Sequence, residues 1–571
     1  QFSLTYKTNM ANTCTMKVNT RRRWFVGAVV SVMFSTVNTL DNGLGRTPGM
    51  GYNTWYDLMG DITEKDCMET VDAFVSLGFP KFGYNYWNLD DLWSGGRNPD
   101  GTIYADATKF PSKSLKPLAD YVHSKGLLFG AYTDRGTKQC GPGPGSQGHE
   151  FQDAKTFAEW EIDYLKEDAC AASQDHAVAF EQYQKMRDGL NATGRPIYFS
   201  LCGWNPWYAP PDPALNYTGG MGTANSWRIG PDDNNWPGIL TNININSQLA
   251  NYSGPGGWND PCLLLADDDE NHQRVNELQS RAQFSMWAIM ASPLIISGNV
   301  RNMSNYTVQT YQNADVIAVD QDPMGRQGTR IFGGDLQTDG GGAKNGDVVI
   351  AEKCDSSSAE QVWKFGNNNS ITPTGTFYHV KTKMNLDVDD CKTDLVLWSW
   401  VTTGCEGNKG FYFDLEQGNF KSQINGCAID NGEGAAVTLG TCPTNSNVNT
   451  DVNGNVNEGD RDGDRDGDGV GDDVGHHLSS WTLGNDGSIR SSTGRCLSMA
   501  TTSTSTTNVW ARELSGGRVA LVFINVGSNT VNITCDETCM KQTSVYGKTV
   551  TIKDLWSQTI TTMPTVSTLT A

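Results

Sequence analysis

Between residues 48 and 322, short apolar runs alternate with segments whose apolar residues recur every three or four positions. The first pattern reads as buried parallel strands and the second as amphipathic helices. Eight runs carry the strand pattern: GMGYNTW, KFGYNYWNLDD, GLLFGAYTD, IDYLKED, PIYFSLCGW, SWRIGPD, GGWNDPCLLL and SPLIISGNV. Between them Val71, Phe74, Val75 and Gly78 mark one buried helix face, and Leu115, Leu118, Ala119 and Val122 another. Eight such units close as a (β/α)8 TIM barrel, an α/β fold, expected over residues 40–325. After DQDPMGRQG, residues 320–328, the helical period fades and the chain becomes all-β. Between about 345 and 505 three weakly similar units stand around EQVWKFGNNNSI, GFYFDLEQGNF and SSWTLGNDGSI, each followed by a stretch such as MNLDVDDC, NGCAIDNG or GRCLSMA. The stretches 326–344 and 506–571, the latter with VWARELSGGRVALVFINVG and TVTIKDLW, alternate like an antiparallel β-sandwich.

Most barrel strands end in polar or aromatic residues: Trp55, Asp90 with Asp91, Asp134, Asp168, Cys202 with Trp204, Asp232 and Asp260. The carboxyl ends of barrel strands are where such folds assemble active sites. A single strand-end Asp is most often a helix cap, but a full ring of polar ends points to chemistry.

Composition narrows the setting. Residues 1–40 hold no acid, and Lys17, Arg21, Arg22 and Arg23 precede the apolar run WFVGAVVSVMF, residues 24–34. That run is shorter than the ~20 residues of a membrane span, so residues 16–39 are expected to be a cleaved signal peptide and residues 1–15 an upstream extension. The protein is then secreted, with no membrane attachment after signal removal. Fourteen cysteines and sequons at Asn191, Asn216, Asn251, Asn302, Asn305, Asn368 and Asn532 fit an oxidising route. A formal charge of −21 excludes nucleic acid as a partner. Cys391 with Cys405, Cys427 with Cys442, and Cys535 with Cys539 are expected to pair locally. The segment 451–473 is dense in Asp and Gly, and Asp464, Asp466, Asp468 and Asp472 have the offsets of a calcium loop. Gly475 stands at the twelfth position, where such a loop needs Glu, so calcium would be weak and structural, and a solvated acidic loop is the simpler reading.

The stretch YLKEDAC, residues 164–170, concentrates the chemistry. Side chains alternate across a strand, so Lys166 and Asp168 share one face while Glu167 points to the helix layer. A lysine beside Asp168 favours its ionised form, which suits a nucleophile. Asp232 and Asp260 are the candidates for a second carboxyl.

LDNGLGRTPGMGYNTW, NLDD, GPGPGSQGHE, DYLKEDAC, SLCGW, NSWRIGPD and GGWNDP together resemble the motifs of glycoside hydrolase family 27, the α-galactosidases and α-N-acetylgalactosaminidases. The resemblance runs from about residue 40 to 328 and resumes at VWAREL. It implies a retaining hydrolase needing no cofactor, with Asp168 as nucleophile and Asp232, four residues after Arg228, as acid/base. Retention requires the two carboxyls about 5–5.5 Å apart, with Asp232 protonated at the start, and Asp168 nearby would raise its pKa. The resemblance further implies that Asp90 and Asp91 bind sugar hydroxyls, Trp55 stacks on the sugar, Lys166 and Arg228 donate hydrogen bonds, and Cys202 and Trp204 line the 2-position. A bulky Trp204 favours galactose over N-acetylgalactosamine. It also implies a Cys140–Cys170 disulfide and a free Cys202. A family bridge between the first loop and the Asp–Asp loop would fall on Gly60 and Leu92, and both halves are missing; Cys262 stands where the family usually has Asp. The threefold unit at 345–505 resembles a ricin-type β-trefoil, with Asp387 and then Asp430 as sugar ligands. The expected activity is hydrolysis of terminal α-D-galactosyl residues from oligosaccharides, galactomannans or glycoconjugates, the trefoil holding polysaccharide or glycan. The alternatives are α-N-acetylgalactosaminidase, with β-L-arabinopyranosidase further behind, and a non-catalytic galactose-binding lectin-like glycoprotein.

Overall fold

The computed structural model describes residues 12–18, 40–173, 175–203, 210–211, 218–266, 274–338 and 504–571, with shorter stretches between 347 and 499. The chain divides into two compact units, residues 1–339 with 503–571, and residues 340–502.

All eight strand runs appear in the first unit as one parallel sheet: β1 (Met50–Asn53), β2 (Tyr86–Asn88), β3 (Leu128–Asp134), β4 (Tyr164–Asp168), β5 (Tyr198–Leu201), β6 (Ser226–Arg228), β7 (Trp258–Asp260) and β8 (Leu294–Ser297). Each pairs with its sequence neighbour, and β8 returns to β1. Leu264–Leu265, just past β7, runs parallel to β8, so the segment from Trp258 joins the last two strands and the ring closes. Tyr86, Tyr164 and Tyr198 meet across strands, the last two stacked at 4.8 Å. Gly130 in β3 leaves room for Asn88, since a Cβ there would lie 1.9 Å from Asn88 Oδ1.

Around the sheet run α1 (Glu64–Ser76), α2 (Lys116–Ser124), α3 (Glu150–Glu159), α4 (His176–Ala192), α5 (Trp236–Asn246), α6 (Glu277–Met290), α7 (Asn305–Tyr311) and α8 (Ala314–Asp320). Their buried faces follow the sequence period: Val71 and Phe74 of α1, and Leu118, Ala119 and Val122 of α2, are buried. Side-chain oxygens satisfy the orphan amides where several of them start: Thr63 for α1, Asp175 for α4, Asn235 for α5 and Asn276, in a capping box with Gln279, for α6. Among the described residues no helix separates β5 from β6, and no helix is long and apolar enough to cross a membrane.

The end of the chain builds an antiparallel sheet in the order Thr329–Phe332, Thr507–Leu514, Arg518–Asn525, Asn12–Val18, Val550–Asp554 and Ile560–Met563. The strand Asn12–Val18 lies within the residues read as extension and leader. Arg512, buried in this sheet, donates to the carbonyls of Ala288 and Asp320 at the ends of α6 and α8, which docks the sheet on the barrel. Cys535 and Cys539 form a disulfide.

The second unit repeats one pattern three times. Antiparallel runs of four strands form from Trp363–Gly366, Thr376–His379, Asn385–Val388 and Leu395–Trp398; from Phe411–Asp414, Asn419–Ser422, Gly426–Ile429 and Thr438–Gly440; and from Trp481–Leu483, Ile489–Ser491, Arg495–Met499 and Asp347–Lys353. The third run takes its last strand from the start of the unit, and a Cys354–Cys496 disulfide reinforces that closure. Trp363 and Trp481, at equivalent places in their runs, donate to the carbonyls of Leu497 and Ala428.

Candidate active site

The carboxyl ends of the barrel strands bring the expected residues together. Past β2, Asp90 accepts from Lys166 Nζ of β4 at 3.1 and 2.8 Å, and from Asn53 Nδ2 of β1 at 2.7 Å. Burial opposes the lysine charge, but Asp90 foremost, then Cys202 and Asp168, raises its pKa well above the usual range, so Lys166 remains an ammonium. Its Nζ also lies 5.1 Å from the centre of the Tyr132 ring. Asp91 accepts from the amides of Leu92 at 2.6 Å and Gly141 at 2.7 Å, pinning the loop after β3; burial raises its pKa against those bonds. Trp55 stands two residues past β1, its amide held by Asn53 Oδ1 at 2.8 Å.

Asp168 ends β4, with one carboxyl oxygen accepting from the Ala169 amide at 2.9 Å. Burial raises its pKa, and the Lys166 charge and the Ala169 amide work against that rise without cancelling it. The lysine therefore favours the ionised form of Asp168, as expected, while burial acts against it. Glu167, on the other face, is fully buried toward the helix layer, with Glu150 and Asp153 of α3 among the charges around it.

Arg228, at the end of β6, donates from Nη1 to Asp232 at 2.9 Å and from Nη2 to the Gly230 carbonyl at 3.0 Å. The Cys202 sulfur lies 3.7 Å from Nη1, and burial pushes the thiol pKa well up, so it is neutral. Asp232 overturns an expectation. Burial would raise its pKa, but the Arg228 charge, helped by Lys166 and by the Arg228 hydrogen bond, brings it below the ordinary carboxylate range. The rise expected from Asp168 is not what results, because the cation four residues upstream prevails. Asp260 ends β7, accepts from the Cys262 amide at 2.9 Å and is raised by burial against Arg228. Cys262 takes a left-handed backbone, φ 98°, and its carbonyl accepts from Trp287 Nε1.

Cys140 and Cys170 form a disulfide beside Asp168, and Cys67, Cys202 and Cys262 are free and buried. Gly60 faces Leu92: a Cβ on the glycine would stand 3.5 Å from the leucine Cδ1. Trp204, the side chain of Asp387, the pairs Cys391–Cys405 and Cys427–Cys442, and the acidic loop with Asp464, Asp466, Asp468 and Asp472 lie outside the described residues. Asp430 of the second unit corrects its expected role as a sugar ligand. It is buried, and both oxygens are engaged, by Arg495 Nε at 2.9 and 3.0 Å and by the hydroxyls of Ser491 and Thr493. Sequence reasoning gave no role to Asp134, which closes β3 directly beside Asp168; its position before Arg135–Gly136 at a strand end was the available signal.

A closed barrel whose carboxyl rim gathers six aspartates around Lys166 and Arg228 is the site of a glycoside hydrolase. Comparison with known proteins gives the family. The alpha galactosidase A family matches residues 47–322, and the alpha galactosidase C-terminal beta sandwich domain matches residues 504–571. A probable alpha-galactosidase of Dictyostelium discoideum is 41% identical over 315 residues, covering 54% of this chain and 77% of that protein. An alpha-galactosidase of Oryza sativa subsp. japonica is 42% identical over 294 residues, covering 51% and 67%. The solved alpha-galactosidase of Saccharomyces cerevisiae superposes with a TM-score of 0.47 at 36% identity, covering 52% of this chain and 69% of that one. The chain belongs to the alpha-galactosidase family, glycoside hydrolase family 27.

Proposed function

We propose that the protein is a secreted retaining α-galactosidase that removes terminal α-D-galactosyl residues from oligosaccharides, galactomannans or glycoconjugates. The observation that carries this reading is the pairing of two cation–carboxylate couples on one rim, Lys166 with Asp90 and Arg228 with Asp232, beside an Asp168 that keeps an oxygen free of hydrogen bonds among the described residues. Asp90 and Lys166 suit sugar hydroxyls, since a carboxylate accepts and an ammonium donates. Asp168 attacks the anomeric carbon, and the bond to the leaving oxygen breaks as Asp232 protonates that oxygen. Asp232 then takes a proton from water, and the hydroxide equivalent displaces Asp168 from the glycosyl-enzyme. For the first step Asp232 must hold a proton, while in the free protein Arg228 favours its anion. A sugar hydroxyl that accepts the Arg228 N–H would release Asp232 and raise its pKa. These steps need no metal or organic cofactor.

We read residues 345–505 as the ricin-type β-trefoil and assign it to holding the enzyme on polymeric substrate. The test is hydrolysis of chromogenic α-galactoside and its N-acetyl analogue by the wild type and by Asp168→Ala, then of melibiose-type oligosaccharide and galactomannan by the full chain and by a chain lacking residues 345–505. Turnover of the galactoside by the wild type and not by Asp168→Ala is expected, with the deletion lowering the rate on polymer alone. A faster N-acetyl analogue would reassign the protein to α-N-acetylgalactosaminidase, and no turnover of either would remove the hydrolase reading.

A further inference from the structure

Asp134 is fully buried at the end of β3, in register with Asp168 on β4. One carboxyl oxygen accepts from the Gly136 amide at 2.6 Å, the other from the Cys170 amide at 2.7 Å. The first donor begins the long loop after β3; the second lies two residues beyond the nucleophile. Around this carboxyl the two segments are zipped together. Arg135 N donates to the Asp168 carbonyl, Thr137 N to the Ala171 carbonyl, and Ser146 N returns to the carbonyl of Asp134 itself. Gly136 comes so close that a Cβ would meet the Ala171 oxygen at 2.2 Å. The Cys140–Cys170 disulfide ties the same two segments covalently, and the ligand atoms of Asp134, Cys140, Asp168 and Cys170 all lie within 4.8 Å of one another.

We infer that Asp134 is the positioning residue of the nucleophile: its carboxyl clasps the two segments that flank Asp168 and sits close enough for its charge to act on Asp168. The inference rests on the α-galactosidase reading. Charged or titratable groups facing Asp134 are Asp168 and Glu167 of β4, and Tyr132 and Arg135 of its own strand and loop. Burial, against the two amide bonds, pushes its pKa up to about 7, so it changes charge near neutrality. Asn at this position keeps one acceptor oxygen and cannot ionise, whereas Ala keeps neither property.

The experiment compares wild type, Asp134→Asn and Asp134→Ala on a dinitrophenyl α-galactoside, whose leaving group departs without a proton and so removes Asp232 from the first step. The expected kcat losses are on the order of tenfold for Asn and a hundredfold for Ala, with KM and inhibition by galactose held within about threefold, because the misplacement affects attack rather than binding. In wild type the pH profile of kcat/KM contains an ionisation near 7 that Asp134→Asn lacks. A wild-type kcat and profile in Asp134→Asn overturns the inference. So do equal losses in KM and kcat. If neither variant folds, the wild-type profile decides, and its showing no ionisation near 7 overturns the inference. An inactive wild type overturns the α-galactosidase reading and this inference with it.

Discussion

Glu167 lies one residue from Asp168, is completely buried, and has no hydrogen-bond partner for either oxygen among the described residues. Replacing it with leucine keeps the apolar stem out to Cδ and removes both orphan oxygens. A buried polar group left unsatisfied costs ~1–3 kcal/mol, so Glu167→Leu is expected to stabilise the fold by about that amount where the acid is neutral. Burial first, then Asp134, raises the Glu167 pKa well above the usual value, against Arg135. A raised carboxyl binds its proton more tightly in the folded chain. Its contribution is therefore full below the unfolded pKa of about 4.3 and is lost as pH rises toward the folded value. The leucine gain should accordingly be larger at neutral pH than in acid. At no more than about 2–4 °C per kcal/mol for a body of this size, the melting temperature should rise by roughly 2–12 °C at neutral pH. Calorimetry at one scan rate, at about pH 4.5 and about pH 7, measures both quantities. A lower melting temperature at neutral pH, or a gain equal at the two pH values, would refute the reasoning.

Removing the Arg228 charge, as in Arg228→Met, should let the Asp232 pKa rise, since that charge is what brings it down. The alkaline limb of kcat/KM then moves to higher pH while its maximum falls by about a hundredfold; a limb that stays in place would show that Arg228 does not control Asp232. Lys166→Met leaves Asp90 buried without its cation and should cost ~3–5 kcal/mol in denaturant unfolding. Adding Asp90→Asn to that variant should recover part of the loss, and the absence of recovery would argue against the pair.

The barrel was legible because eight apolar runs and the helical spacing between them each repeat a period that physics ties to one element. Lys166 and Asp168 could be placed on one face by strand alternation alone. Their charge balance could not, because burial depends on what the other strands bring near. Asp232 shows the same limit more sharply: its control by Arg228 arises from a loop that folds the chain back over four residues. Asp134 is legible as a polar strand end but not in its partners, because these are the amides of Gly136 and Cys170, and backbone donors leave no mark in a sequence. Cys354 and Cys496 stand 142 residues apart, and only the pairing of the first and last strands of that unit makes them neighbours. Asp430 occupied the right place in a repeat, but Arg495 in the next one claims it.

The long insertion departs and returns almost at one point. Asp335–Leu336 runs parallel to Thr504–Ser505 as direct neighbours, so the chain leaves and re-enters within about one strand spacing of 4.8 Å. A host interrupted in this way needs no separation between its cut ends, and whatever is housed there is free to change in length, composition or identity. The site on the barrel rim and the guest between residues 339 and 503 are thus open to separate selection.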